Sequence, residues 1–115
     1  MHPYKRSERL GELILAEISD LVRREIKDPR IGFVTFTRVE MSDDLRHVKL
    51  FVSSIGAEPE KTRTLQGLAS ATGYMRRHLG RALHLRYTPE ITFLPDGSLE
   101  HGAKIAQILR QLRAG

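Results

Sequence analysis

Ser70-Ala71-Thr72-Gly73-Tyr74-Met75-Arg76-Arg77 lies in the middle of a stretch that otherwise reads as one helix. Small or apolar residues recur before it at Leu65, Leu68, Ala69 and Thr72, and after it at Met75, Leu79 and Leu83. That spacing of three and four is helical. A glycine inside a helix costs about 1 kcal/mol relative to alanine, so Gly73 asks for a reason. Two reasons compete. Either another element packs closely on the helix at that point, or a ligand approaches the backbone there, with Arg76 and Arg77 one turn on to meet a phosphate.

Upstream, residues 6–27 predict an amphipathic helix with Leu10, Leu13, Ile14, Ile18, Leu21, Val22 and Ile26 on one stripe. Arg23, Arg24 and Lys27 suit the negative end of its dipole, and Asp28-Pro29 stops it because a residue before proline is pushed out of the helical region. Gly32 to Met41 is β-branched and aromatic, a strand whose parity changes between Val34/Phe36 and Val39/Met41. A bulge or burial on both faces would account for that. Ser42-Asp43-Asp44 makes a turn, and Val48, Leu50 and Val52 alternate with polar neighbours in a second strand that returns as a hairpin.

Pro59 suits the start of the interrupted helix, which ends near Leu83 or His84. Tyr87 to Leu94 predicts a third strand. After a Pro95-Asp96-Gly97 turn, Ser98 is placed to cap a last helix over Leu99 to Leu112. The prediction is therefore an α+β fold, residues 1–115 as a single domain in two layers, with helices on one face of a three-stranded sheet. The order α-β-β-α-kink-α-β, then a C-terminal helix, is similar to the type II K-homology domains, in which a Gly-rich loop between two helices clamps a nucleic-acid backbone.

Length and composition fit that size. The chain has 115 residues, 40% hydrophobic and 29% charged, with a net charge of +5, which favours polyanionic partners. It has no run near the ~20 apolar residues that span a bilayer, and residues 1–8 hold no apolar signal core. With no cysteine there is neither a disulfide framework nor a thiolate metal site, and the expected location is cytoplasmic.

No catalytic constellation emerges. His2, His47, His78, His84 and His101 never fall four apart as a helical zinc pair would, and they read as solvated surface residues. Asp43 and Asp44 sit in a turn, where aspartate bonds local backbone. A metal-dependent nuclease built on them is a rival reading that metal-dependent cleavage would reveal. Basic residues are the better lead. Arg77 and Arg81 are four apart on the second half of the broken helix, Arg76 flanks them, and arginine's planar fork suits phosphate. Arg46 and Lys49 near the second strand, and Lys5, Arg6 and Arg9 at the start, extend a basic track. Only Tyr4, Tyr74 and Tyr87 offer stacking faces beyond the core, which favours recognition of backbone and shape.

Over nearly its full length the chain resembles the bacterial ribosome-binding factor A family. The resemblance is carried by Lys27-Asp28-Pro29-Arg30-Ile31-Gly32-Phe33-Val34-Thr35, Val39-Glu40-Met41-Ser42-Asp43-Asp44-Leu45, Val48-Lys49-Leu50-Phe51-Val52-Ser53, Ala71-Thr72-Gly73-Tyr74-Met75-Arg76 and Leu83-His84-Leu85-Arg86-Tyr87-Thr88-Pro89-Glu90-Ile91-Thr92-Phe93. It implies a type II K-homology fold in which Ala71-Thr72-Gly73 forms a kink in place of the usual Gly-x-x-Gly loop. It also implies a non-enzymatic factor that binds the free 30S ribosomal subunit and 16S ribosomal RNA and supports late maturation of the 16S precursor, notably in cold adaptation. The expected RNA-binding residues are Ala71, Thr72, Gly73, Arg76, Arg77 and Arg81, with Arg46, Lys49, Arg6 and Arg9 as secondary contacts. No cofactor, metal or membrane is expected, and the chain is expected to act as a monomer. A general single-stranded nucleic-acid module, indifferent to the ribosome, is the alternative.

Overall fold

The computed structural model describes residues 5–96. Helix α1 (Arg6–Arg24) is followed by strands β1 (Val34–Met41) and β2 (His47–Ser54), helices α2 (Glu58–Ser70) and α3 (Thr72–Ala82), and strand β3 (Glu90–Pro95). The last helix expected over Leu99 to Leu112, its cap Ser98, and Tyr4, His2 and His101 lie outside the described residues.

The sheet is mixed and three-stranded, in the order β1-β2-β3. The β1–β2 hairpin is antiparallel and β3 runs parallel to β2, a pairing that needs a long crossover, here supplied by α2 and α3. The helices pack against the sheet around Ile14, Ile18 and Leu21 of α1, Val48, Leu50 and Val52 of β2, Leu68 of α2, and Met75 and Leu79 of α3. Each of these is worth about 1.5–3 kcal/mol of burial.

The change of parity in the first strand is a bulge. Phe36 pairs with Val52 and Arg38 with Phe51, leaving Thr37 as the extra residue. Its hydroxyl donates to the Asp96 carboxylate and lies 3.3 Å from the Phe51 carbonyl. With parity reset, Val34, Phe36, Val39 and Met41 all pack on the core. Arg38 is turned to the open face, its guanidinium carbon 3.8 Å from the centre of the Phe51 ring.

Two expected boundaries move, each for a local reason, and the reading of one histidine changes. The first helix ends at Arg24, not residue 27, with Arg23 and Arg24 both bonded to Asp20 at 2.7 Å. Ile26 still packs on the core from beyond the helix end, which is why its spacing looked helical. The third strand starts at Glu90, not Tyr87, because Pro89 has no N–H to give the ladder; the first bond is Glu90 N–H to the Arg46 carbonyl at 2.8 Å. His78 is not a solvated histidine. It is half-buried, 2.8 Å from the Glu17 carboxylate, and ties α3 to α1.

Between α1 and β1 the chain is held rigidly. Asp28 accepts the Arg30 amide at 2.9 Å and its guanidinium at 2.7 Å, and these bonds hold the Asp28 carboxyl at a pKa of about 2, below the usual 3.8. The buried Thr64 hydroxyl donates to the Arg30 carbonyl at 3.3 Å and accepts from Gly32 N–H at 3.4 Å. Gly67 lets this loop lie on α2, since a Cβ there would stand 2.8 Å from Ile31 Cγ1.

Candidate nucleic-acid interface

The break between α2 and α3 is centred on Ala71, not on Gly73. Ala71 sits at φ −92° and ψ 0°, and its N–H bonds the Leu68 carbonyl at 3.0 Å. The Ser70 hydroxyl donates to the Gln66 carbonyl at 3.0 Å and the Thr72 hydroxyl to that of Ala69 at 2.9 Å. Hydroxyls bonded back onto a helix in this way loosen and bend it. Gly73 then falls in the first turn of α3, a helix with no side-chain cap at its N-terminus. Its leading N–H groups and dipole therefore favour an anion.

The two explanations for Gly73 now separate. A Cβ on Gly73 would meet nothing nearer than Arg77 Nη1 at 3.9 Å, and its φ is not left-handed. Neither packing nor backbone strain calls for glycine there. What the missing side chain leaves is a bare patch of helix beside a guanidinium.

Gly73, Arg76, Arg77, Gly80, Arg81 and Thr88 line an open groove of about 580 Å³. Arg77 and Arg81 are exposed and have no ion-pair partner among the described residues. Arg76 is different. It is half-buried, Nη2 donates to the Thr88 carbonyl at 3.0 Å, and Nε is buried with no partner among the described residues. It is a fixed charge in the wall, not a mobile arm. Tyr74, also in the first turn of α3, donates to Glu25 at 2.7 Å and so joins α3 to the end of α1. That bond to the carboxylate pushes the phenol's pKa up from its usual 10.0.

Arg76 and Thr88 are shared with a second groove of about 640 Å³, which Arg6 and Arg46 also line. The structure thus joins Gly73, Arg76, Arg77, Arg81, Arg6 and Arg46 into one basic face. Ala71 packs half-buried on the core and Thr72 caps the break from within, so both shape the surface. Arg9 lines neither groove, and Lys49 lies exposed between Glu40 and Thr92 on the sheet. Arg86 was not among the expected contacts and Tyr87 was expected only as a stacking face, yet both line the second groove. The signal for them was Pro89, which keeps the residues before it out of the ladder.

Nothing in the geometry supports the nuclease. Asp44 accepts the Ser42 hydroxyl at 2.6 Å and the Arg46 amide at 3.0 Å, bonds that hold its pKa below the usual carboxylate value. Among the described residues no three acids or histidines gather as a metal site, and no helix is long and apolar enough to cross a membrane.

Comparison with known proteins gives the family of the chain. Residues 6–109 match the family described as Ribosome-binding factor A. A protein of that name from Halothermothrix orenii is 53% identical over 109 residues, covering 95% of this chain and 89% of the relative. A Thermotoga maritima protein assigned to ribosome binding factor A, solved by solution NMR, superimposes with a TM-score of 0.72 at 34% identity, covering 82% of this chain and 90% of that one. Coordinates of the Thermus thermophilus factor, fitted into a cryo-EM map of its complex with the 30S subunit, give a TM-score of 0.58 at 24% identity over 83% and 97% of the two chains. With this extent of match, the chain belongs to the ribosome-binding factor A family, whose members are non-enzymatic RNA-binding factors.

Proposed function

We propose that this chain is an assembly factor of the small ribosomal subunit. It binds the free 30S particle and its 16S rRNA, and supports late maturation of the 16S precursor, including during cold adaptation. The observation that carries the reading is the uncapped start of α3. There a glycine that nothing in the fold requires lies beside two arginines without partners among the described residues. A phosphate oxygen can reach the leading amides of α3 because Gly73 offers no side chain, and Arg77 and Arg81 then stand one and two turns along the same face. The order α-β-β-α-α-β with a mixed sheet is consistent with a type II K-homology domain in which Ala71-Thr72-Gly73 replaces the clamp loop. The Thermus relative's place in a 30S complex supports the same partner.

Sedimentation tests this. The purified chain should travel with free 30S subunits at a salt concentration that suppresses its binding to naked RNA. Bulk RNA should compete poorly. A chain that stays in the supernatant, or that bulk RNA strips off as readily as added subunits do, overturns the proposal, and the second result favours a general nucleic-acid module.

A further inference from the structure

The groove on the other side of Arg76 has a composition of its own. Arg6 comes from the first turn of α1, Arg46 from the hairpin turn, Arg76 from α3 and Arg86 from the segment before β3. Leu10, Leu45 and Leu85 supply apolar lining, and Tyr87 stands 77% exposed at the edge. The carboxylates in the lining are Asp44 and Glu90. Asp44 is engaged by Ser42 and Arg46, and Glu90 lies 3.6 Å from His47 Nδ1. Four guanidiniums against two carboxylates leave the groove net positive. Its volume of about 640 Å³ falls within the range of roughly 300–1,000 Å³ typical of pockets for small organic groups.

Backbone strain points to the same place. Among the described residues only Leu45 (φ 63°) and His84 (φ 52°) adopt a left-handed conformation without being glycine. Such a conformation costs about 1–2 kcal/mol for an ordinary side chain, and strain of this kind gathers at working sites. Leu45 lines the groove. His84 closes α3 in a Schellman turn, Leu85 N–H bonding the Gly80 carbonyl at 3.0 Å, and so directs Leu85, Arg86 and Tyr87 onto its edge.

We infer that this groove takes an unpaired nucleotide of an RNA strand, its base against Tyr87 and the leucines and its flanking phosphates on Arg6, Arg46 and Arg86. An aromatic face with apolar lining suits a base, and basic groups arriving from separate elements suit a chain of phosphates more than a single free anion. A base within a duplex is covered on both faces by its neighbours and does not enter a concave site. The inference deepens the rRNA-binding reading and rests on it: the Gly73 face meets backbone, and this groove selects a single-stranded residue beside it.

Fluorescence anisotropy of the full chain tests the inference, with a labelled single-stranded oligoribonucleotide, the same strand annealed to its complement, and a nucleoside monophosphate as competitor. At one salt concentration the single strand should bind more tightly than the duplex, and the monophosphate should compete weakly. Tyr87→Ala should weaken single-strand binding about five- to tenfold with duplex binding unchanged, and Tyr87→Phe should restore it. Equal losses on both RNAs, or an unaltered single-strand affinity in Tyr87→Ala, overturn the inference. Tyr87 is exposed, and a circular dichroism melt that matches wild type excludes misfolding as the cause. Sedimentation with 30S subunits separates the two proposals. Loss of wild-type co-sedimentation with Tyr87-dependent binding intact removes the assembly-factor reading. The reverse pattern removes the pocket.

Discussion

Two alanine substitutions, six residues and one helix break apart, should behave in opposite ways. At Gly67 a methyl group would come within 2.8 Å of Ile31 Cγ1, 3.3 Å of Arg30 Cβ and 3.5 Å of Asp28 Cγ. The loop it strikes is fixed by the Asp28–Arg30 pair and by the Thr64 hydroxyl, so it has little room to withdraw. Overpacking of this kind costs about 1–3 kcal/mol, and the helix propensity regained returns less than 1 kcal/mol. Gly67→Ala should therefore lose about 1–2 kcal/mol, a drop in Tm of roughly 4–8 °C. At Gly73 the same methyl meets only Arg77 Nη1 at 3.9 Å. Gly73→Ala should leave Tm unchanged or raise it by roughly 2 °C, for a propensity gain of about 0.5 kcal/mol in the first turn. Yet it should weaken association with 30S subunits, because the methyl occupies the approach to the α3 amides. Thermal melts and sedimentation on both variants make the assay. A destabilised Gly73→Ala that binds normally would refute the reasoning, since it would make Gly73 a packing glycine after all.

Other consequences follow from particular bonds. Thr64→Val removes the hydroxyl shared by Arg30 and Gly32 and should cost about 1 kcal/mol, read by chemical denaturation, with faster amide exchange at Gly32. His84→Gly relieves the left-handed residue that ends α3 and should gain about 1 kcal/mol, seen as a Tm raised by roughly 4 °C. Asp28 is depressed to about 2 in the fold, from 3.8. Its bond to Arg30 thus contributes stability that is present above pH 4 and is lost as the pH falls toward 2. Asp28→Asn should flatten the acid side of the stability profile in that window and leave the neutral side with a uniform offset.

Much of the fold was legible because its determinants are local. The stripe from Leu10 to Val22, the proline after Asp28, and the parity change that marks the Thr37 bulge each announce themselves within a few residues. What stayed hidden depends on residues distant in sequence. Nothing near Gly67 shows that Ile31 and Arg30 lie on it, and nothing near His78 shows that Glu17 faces it. The same holds at the site. Arg77 and Arg81 share a helix face and were visible with the flanking Arg76 as a group, but only the fold shows that Arg76 is bound to Thr88 while the other two reach solvent. Tyr87 reads as strand by its β-propensity; the crossover that brings it beside Arg6 and Arg46 is a property of the topology alone.

The central claim is that the α3 start, and not some other basic surface, faces ribosomal RNA. Because the chain has no cysteine, single cysteines can be introduced and tethered to a hydroxyl-radical source. Ser70→Cys places that source on an exposed residue at the break, and Ile55→Cys places it on an exposed residue before α2, away from both grooves. Bound to 30S subunits, the first derivative should cut a discrete set of 16S rRNA positions and the second should cut few or none. Strong cleavage from position 55 with silence at position 70 would contradict the account.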